Sequence, residues 1–300
     1  MAGPATETIA DYVCGKGAIL GECPIWDDTA QMLYWIDCRA PALHRLDPET
    51  GAVRSLALAE TIGSFALRRH ERGEGGAVAA LASGFHFLDL DSGATTPIGD
   101  PEPDQPGNRF NDGRVDRAGR FWAGTMNRQH LGPTGTVYRL DPDHTITPQF
   151  GEITVSNGIA VAPDGCRLYF ADSPTGTIFA FDLDPETGAL SNRRVFVPPE
   201  AAPGYPDGAA VDAEGYLWSA RWLAGCVARF DPDGRLERTI AVPVARVTCC
   251  AFGGPDLKSL YITTASQGSL KDGPPPEPLA GGLFAIRPGP TGLAENRYAG

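Results

Sequence analysis

Asp116-Arg-Ala-Gly119-Arg-Phe-Trp122 and, further along, Asp212-Ala-Glu-Gly215-Tyr-Leu-Trp218 are two copies of one pattern: an acid, a turn glycine, an apolar residue and an aromatic. Outward from these, Asp164-Gly-Cys-Arg-Leu-Tyr169 and Asp256-Leu-Lys-Ser-Leu-Tyr261 are close variants. Asp27-Asp-Thr-Ala-Gln-Met-Leu-Tyr34-Trp35 is a looser copy, and Gly75-Gly-Ala-Val78-Ala-Ala-Leu81 a degenerate sixth. Trp35, Leu81, Trp122, Tyr169, Trp218 and Tyr261 then stand 46, 41, 47, 49 and 43 residues apart. A turn followed by a strand, recurring every roughly 40–50 residues, marks a propeller in which each repeat is one four-stranded blade. Six such spacings fill the 300 residues and predict an all-β, six-bladed β-propeller forming a single domain over residues 1–300.

Short strand-like runs are expected at 32–36, 53–58, 77–81, 85–90, 121–124, 137–140, 168–171, 178–182, 217–220, 227–230, 260–263 and 283–286. Asp47-Pro-Glu-Thr-Gly51, Asp184-Pro-Glu-Thr-Gly188 and Asp231-Pro-Asp-Gly234 each follow a strand ending in Leu-Asp or Phe-Asp, so an outer hairpin repeats as well. No window shows sustained helical periodicity. Four stretches break the rhythm and are expected to be long loops, at 70–76, 99–107, 198–206 and 272–280. Loops of this kind gather at one face of a propeller and frame its central pocket.

The net charge of −12 argues against nucleic-acid binding, which needs clustered Lys and Arg, and suits a cation ligand. No run approaches the roughly 18 consecutive apolar residues of a membrane span. The start, Met1-Ala-Gly-Pro-Ala-Thr-Glu-Thr, has neither the basic nor the apolar region of a signal peptide. Seven scattered cysteines without paired metal-type spacing read as free thiols in a reducing cytoplasm. A cytoplasmic monomer or weak oligomer is the expectation.

Counting back 11 to 13 residues from the repeat aromatics lands on the strand nearest the central channel, at Glu22, Asn111, Asn157 and Asp207. Equivalent positions in a ring of blades point at one axis, so four separated residues converge. All four carry hard oxygen atoms where an apolar side chain would pack better. Two carboxylates balance a divalent charge and two amides add neutral donors, a set suited to Ca²⁺, Mg²⁺ or Mn²⁺, with Zn²⁺ and Fe²⁺ left open. Taken singly, Asn-Gly and Asp-Gly are ordinary turn dipeptides, Glu22 an exposed charge and Arg109 a surface cation. Only the shared register raises the joint reading. The second and sixth repeats offer Ser64 and Thr248 at the matching places, small enough to leave room for a substrate.

Leu20-Gly-Glu-Cys-Pro24, Arg109-Phe-Asn-Asp-Gly113, Phe121-Trp-Ala-Gly-Thr-Met126, Ser156-Asn-Gly158, Ser191-Asn-Arg-Arg194, Pro206-Asp-Gly208 and Cys250-Ala-Phe-Gly-Gly254 together resemble the SMP-30/gluconolactonase family. The likeness continues to Ala280-Gly-Gly-Leu-Phe284 and the closing Tyr298-Ala-Gly300. It implies a six-bladed propeller with one divalent metal in the channel, coordinated by Glu22, Asn157 and Asp207, with Asn111 at or just outside the coordination sphere. Arg109 is implied to bind sugar hydroxyls or lactone oxygens. Two positions depart from the family's pattern. Cys23 stands where the family usually has Gly, and Gln129 sits where some members place a substrate-contacting Glu.

The chemistry this implies is metal-dependent hydrolysis of a sugar lactone, an aldonolactone such as an arabino-, xylono- or gluconolactone. Asp207 is the candidate general base; a metal-held hydroxide that Asp207 only steers fits the same residues. The substrate would meet Arg109, Asn111 and Gln129. The five histidines fall outside the inner-strand register, and His130 could reach the pocket mouth from the loop after Met126 but reads better as solvated. Two competing classes remain, a metal-dependent phosphotriesterase or esterase and a non-catalytic calcium-binding regulatory protein.

Overall fold

The Asp-to-Trp repeat is a tertiary device. In the third blade the buried Asp116 carboxylate accepts the backbone N–H of Ala118 at 2.9 Å and of Arg120 at 3.0 Å, which closes the turn. Its other oxygen accepts the indole Nε1–H of Trp122 at 2.9 Å and the Arg120 Nε–H at 2.6 Å. The fifth blade repeats this, with Asp212 accepting from Glu214 and Tyr216 N–H at 3.0 Å each and from Trp218 Nε1 at 2.9 Å. A fully buried indole N–H requires an acceptor, and an acid six residues earlier supplies it while fixing the turn.

The computed structural model describes residues 9–15, 17–69, 76–267 and 277–300. These form six four-stranded antiparallel sheets. Five blades are simple meanders. The first runs Gly21–Asp27, Met32–Asp37, Ala42–Leu46, Val53–Ala57, and the third Asn108–Val115, Phe121–Asn127, Gly135–Leu140, Ile146–Ile153. The sixth is composite: Val247–Gly253, Ser259–Thr264 and Leu283–Ile286 are completed by Asp11–Cys14 from the other end of the chain. That exchange closes the ring, because neither end can leave without opening a sheet edge. The innermost strands of consecutive blades pack against each other, the last against the first.

The twelve strands expected from sequence are present, with ends differing by up to three residues, and the three Asp-Pro hairpins join third to fourth strands as expected. Part of the 70–76 and 272–280 loops lies outside the described residues, while 198–206 holds a single 3₁₀ turn, Pro199–Ala201. No helix among the described residues is long and apolar enough to cross a membrane.

The chain's last residues form a strap across the face opposite the cavity described below. Gly292 N–H reaches Leu257 O at 2.7 Å, Ala213 N–H reaches Thr291 O at 2.9 Å, Tyr298 N–H reaches Leu67 O at 2.8 Å, and Ala299 N–H reaches Gly119 O at 3.0 Å, so four blades are tied through one segment. Tyr298 is fully buried and its hydroxyl donates to Asp141 O at 2.7 Å. Arg297 pairs with Asp27 at 2.7 Å, and Glu295 with Arg114, which projects from the channel-lining strand of the third blade.

Candidate active site

All six innermost strands are bulged at the position where the sequence register placed a candidate. The pairing slips between Glu22 and Ile25, Ile62 and Ser64, Phe110 and Gly113, Asn157 and Ala160, Pro206 and Ala209, and Val247 and Cys249. A bulge sets two residues against one and turns a side chain out of the sheet's alternation, here toward the axis. The glycines after the candidates serve blade packing. A Cβ on Gly208 would lie 2.3 Å from Cys249 Sγ of the sixth blade, and one on Gly113 2.6 Å from Ser64 Oγ of the second. Cys23, by contrast, holds the left-handed conformation with φ 50°, a strained backbone for a residue with a Cβ.

Glu22, Arg109, Asn111, Asn157 and Asp207 line one cavity of about 260 Å³ with His130, Ser173 and the apolar Leu20, Met126, Val155, Pro174, Tyr205 and Trp222. Five predicted residues from four blades are thereby brought together. A hydrogen-bond chain orients the amides. Arg109 donates to Asn111 Oδ1 at 2.8 Å, Asn111 Nδ2 to Asn157 Oδ1 at 2.9 Å, Asn157 Nδ2 to Ser173 Oγ at 2.8 Å, and Ser173 to Pro206 O at 2.6 Å. With Nδ2 of Asn157 spent on Ser173, its carbonyl oxygen is turned toward Asn111 and the cavity, an acceptor with one lone pair still to fill.

The carboxylates are crowded. Burial, then the charges of Asp207 and Asp112, hold Glu22 well above the usual carboxylate range against the pull of Arg109. Burial and Asp112 do the same to Asp207. Asp112, next to Asn111, is raised by burial and relieved by Arg114, and its carboxylate accepts Ile159 N–H at 2.9 Å from the fourth blade. Asp207 is 7% exposed and its Oδ1 has no hydrogen-bond partner. Among the described residues no three His, Cys, Asp or Glu side chains form a metal-holding group, so the candidate set depends on amide oxygens alongside its two acids.

Three expectations need correction. Gln129 is exposed on the loop after Met126, outside the cavity lining, and its backbone N–H is tied to Asn127 Oδ1 at 2.9 Å. The neighbouring His130 is exposed, as expected, and also lines the cavity mouth; at φ 56° the backbone turns there. Ser64 and Thr248 are fully buried and outside the lining, Thr248 donating to Gly21 O at 2.5 Å, so they pack blades and do not open space for a substrate. Ser173 and Asp112 escaped the sequence reading because they sit beside, not in, the shared register; the Asp-Gly and Asp-Ser-Pro contexts look like turns.

Fold and site define a six-bladed propeller whose channel opens into an acid-bearing, oxygen-rich cavity. Residues 20–266 match the SMP-30/gluconolactonase/LRE-like region, and the chain belongs to that family. It is 39% identical over 289 residues to the 6-deoxy-6-sulfogluconolactonase of Pseudomonas putida, covering 96% of this chain and 98% of that one. It is likewise 39% identical over 284 residues to the pentonolactonase of Haloferax volcanii, covering 93% and 94%. Among solved structures, the calcium-binding protein regucalcin from Agrobacterium tumefaciens superposes with a TM-score of 0.89 at 30% identity, covering 97% of each chain.

Proposed function

We propose that the protein hydrolyses a sugar lactone, an aldonolactone such as an arabino-, xylono- or gluconolactone, to the open-chain acid, with one divalent ion held by Glu22, Asn157 and Asp207. Lactone hydrolysis is the activity in the names of the Pseudomonas and Haloferax relatives. The observation that carries the metal is the orphaned Asp207 Oδ1, a buried acceptor beside two more carboxylates whose charges disfavour one another. A buried carboxylate with an oxygen left unpaired is costly, and a cation offsets that cost. The residues present therefore fit an oxygen-ligated divalent ion, the hard Ca²⁺, Mn²⁺ or Mg²⁺ first, with the borderline Zn²⁺ and Fe²⁺ open. When bound it supplies Lewis-acid polarisation of the lactone carbonyl and charge stabilisation of the oxyanion.

The remaining work falls to the chain's own groups. Arg109 keeps one terminal nitrogen on Phe110 O and Asn111 Oδ1, at 2.7 and 2.8 Å, and its other N–H groups remain for substrate oxygens. Asn111 holds Asn157 in register and adds a polar contact at the cavity wall. Asp207 takes a proton as water attacks the carbonyl carbon; the ring C–O bond breaks and that proton passes to the departing sugar oxygen, leaving a carboxylic acid and a hydroxyl. The apolar wall of Met126, Val155, Tyr205 and Trp222 limits competing water.

Proton release from a panel of pentono- and hexonolactones, before and after EDTA and on return of each of the five ions, tests this. The expected result is acceleration over spontaneous opening that EDTA abolishes and one or more ions restore. Ion binding with no acceleration on any lactone would favour the non-catalytic calcium-binding reading.

A further inference from the structure

We propose that the substrate carries an anionic group, a carboxylate, sulfonate or phosphate, at the end remote from the lactone carbonyl, and that Arg109 and Arg128 of the third blade seat it. The inference rests on the lactonase reading for the carbonyl end and is argued independently for the charged end.

The repeated turn acids and the cations near the cavity lie on opposite faces. In each blade the first-to-second and third-to-fourth turns lie on the face away from the cavity, and these carry the repeated acids Asp27, Asp47, Asp116, Asp164, Asp212 and Asp256. The second-to-third connections lie on the cavity side, as do the blade-to-blade connections, which carry Glu60, Asp100, Glu102, Asp104 and Glu200. In the first five blades the second-to-third connections are 38–41, 82–83, 128–134, 173–176 and 223–225, and they contain Arg39, Arg128 and His130 without one Asp or Glu. Arg39, Arg128 and His130 thus stand on the cavity face in connections that bring no acid of their own.

Arg109 and His130 line the pocket itself, and Arg109 and Arg128 together line an adjoining hollow of about 240 Å³. Arg128 is exposed, donates only its Nε–H to Asn108 O at 3.1 Å, and makes no ion pair among the described residues. Arg109 makes both its bonds through one terminal nitrogen. Two guanidiniums with spare N–H pairs match the planar, multidentate needs of an oxyanion. The hollow's own acids do not satisfy them. Glu102 is taken by Asn108 at 2.9 Å, Thr125 at 2.8 Å and Tyr138 at 3.1 Å, and Asp100 accepts Glu102 N–H at 2.9 Å. The basic groups also feel one another. Burial first, with Arg39 and Arg128 adding to it, lowers the proton affinity of Arg109, and burial with Arg109 and Arg39 lowers that of His130. An anion between them relieves this repulsion, whereas Glu22 and Asp207 are committed to the ion. Tyr205 and Trp222, facing each other across paired strands, add an apolar surface to the cavity.

The test compares glucono-1,5-lactones that differ only at C6, bearing hydroxyl, sulfonate or phosphate, on the metal-loaded wild type, Arg128→Gln and Arg39→Gln. The expected result is a preference of about tenfold or more in kcat/KM for the charged lactones, carried by KM and weakened by salt. Arg128→Gln should cut the charged-to-neutral ratio about tenfold, and Arg39→Gln by less. Equal kcat/KM for the three lactones, or an unchanged ratio in Arg128→Gln, would overturn the proposal while leaving lactonase activity standing. Should no lactone be turned over, calorimetric binding of gluconate against 6-phosphogluconate decides alone: tighter binding of the phosphorylated acid, lost in Arg128→Gln, supports the anion seat, and equal binding refutes it.

Discussion

Asp207→Asn should make the metal-free protein more stable while removing its response to metal. Without an ion, Glu22, Asp207 and Asp112 are all held above the usual carboxylate range by burial first; Asp207 and Asp112 add to this at Glu22, and Asp112 at Asp207, with Arg109 opposing at Glu22 and Arg114 at Asp112. A carboxyl whose folded pKa is raised keeps its proton in the folded chain after the unfolded chain has released it. Its penalty on folding is therefore absent below the unfolded value near ~4 and grows as pH rises through the folded value. Two carboxylate charges about 4 Å apart repel by roughly 4 kcal/mol at an effective dielectric of about 20; residual protonation and relaxation leave a net of about 1–2 kcal/mol. For a chain of this length that is a rise in Tm of roughly 2–4 °C at pH 8 in EDTA, fading toward pH 4. At metal concentrations about 100 times Kd the wild type gains about 2.7 kcal/mol and the variant little, so the order inverts. Differential scanning calorimetry at pH 8 and pH 4.5, with EDTA and with Ca²⁺ or Mn²⁺, reads all four states. A lower Tm for Asp207→Asn in EDTA at pH 8, or the same metal-induced rise as the wild type, would refute the reasoning.

Other consequences are as direct. Asn111→Ala breaks the chain from Arg109 to Asn157 and should cost about 10- to 100-fold in metal affinity or kcat/KM with little loss of stability, read by calorimetric titration and steady-state rates. Removing residues 293–300 takes away the fully buried Tyr298 and leaves Arg114 without Glu295, so the urea midpoint should fall by a stability loss on the order of 5 kcal/mol. Of seven cysteines, Cys166 is exposed and Cys14 half-buried, while burial pushes the Cys23 and Cys250 thiols up to about 12; a thiol reagent should find one fast and at most one slow site in the native protein, and seven in urea.

The blade count was legible because the physics that repeats is local: an Asp that closes a turn and accepts an indole N–H six residues on leaves a fixed spacing. The innermost strands were harder, since Asn111-Asp-Gly, Asn157-Gly and Asp207-Gly look like turns and are in fact bulges whose glycines admit a neighbouring blade. Their alignment at one cavity followed from the register, and five of the six named residues line it. What the sequence did not show depends on pairing at a distance. Nothing in Asp11-Tyr-Val-Cys14 says that it completes a sheet begun at Val247, and nothing in Glu295 marks its partner as Arg114. Gln129 was misplaced for a related reason, because the backbone turn at His130, not residue type, sets which side chain of that loop meets the cavity.

The central claim, that side chains from separate blades hold one ion at the channel mouth, is tested most directly by an anomalous difference map from crystals soaked in Mn²⁺. The account predicts a single strong peak within about 2.5 Å of oxygens from Glu22, Asn157 and Asp207. A peak elsewhere, or an empty cavity in crystals that still turn over lactone, would contradict it.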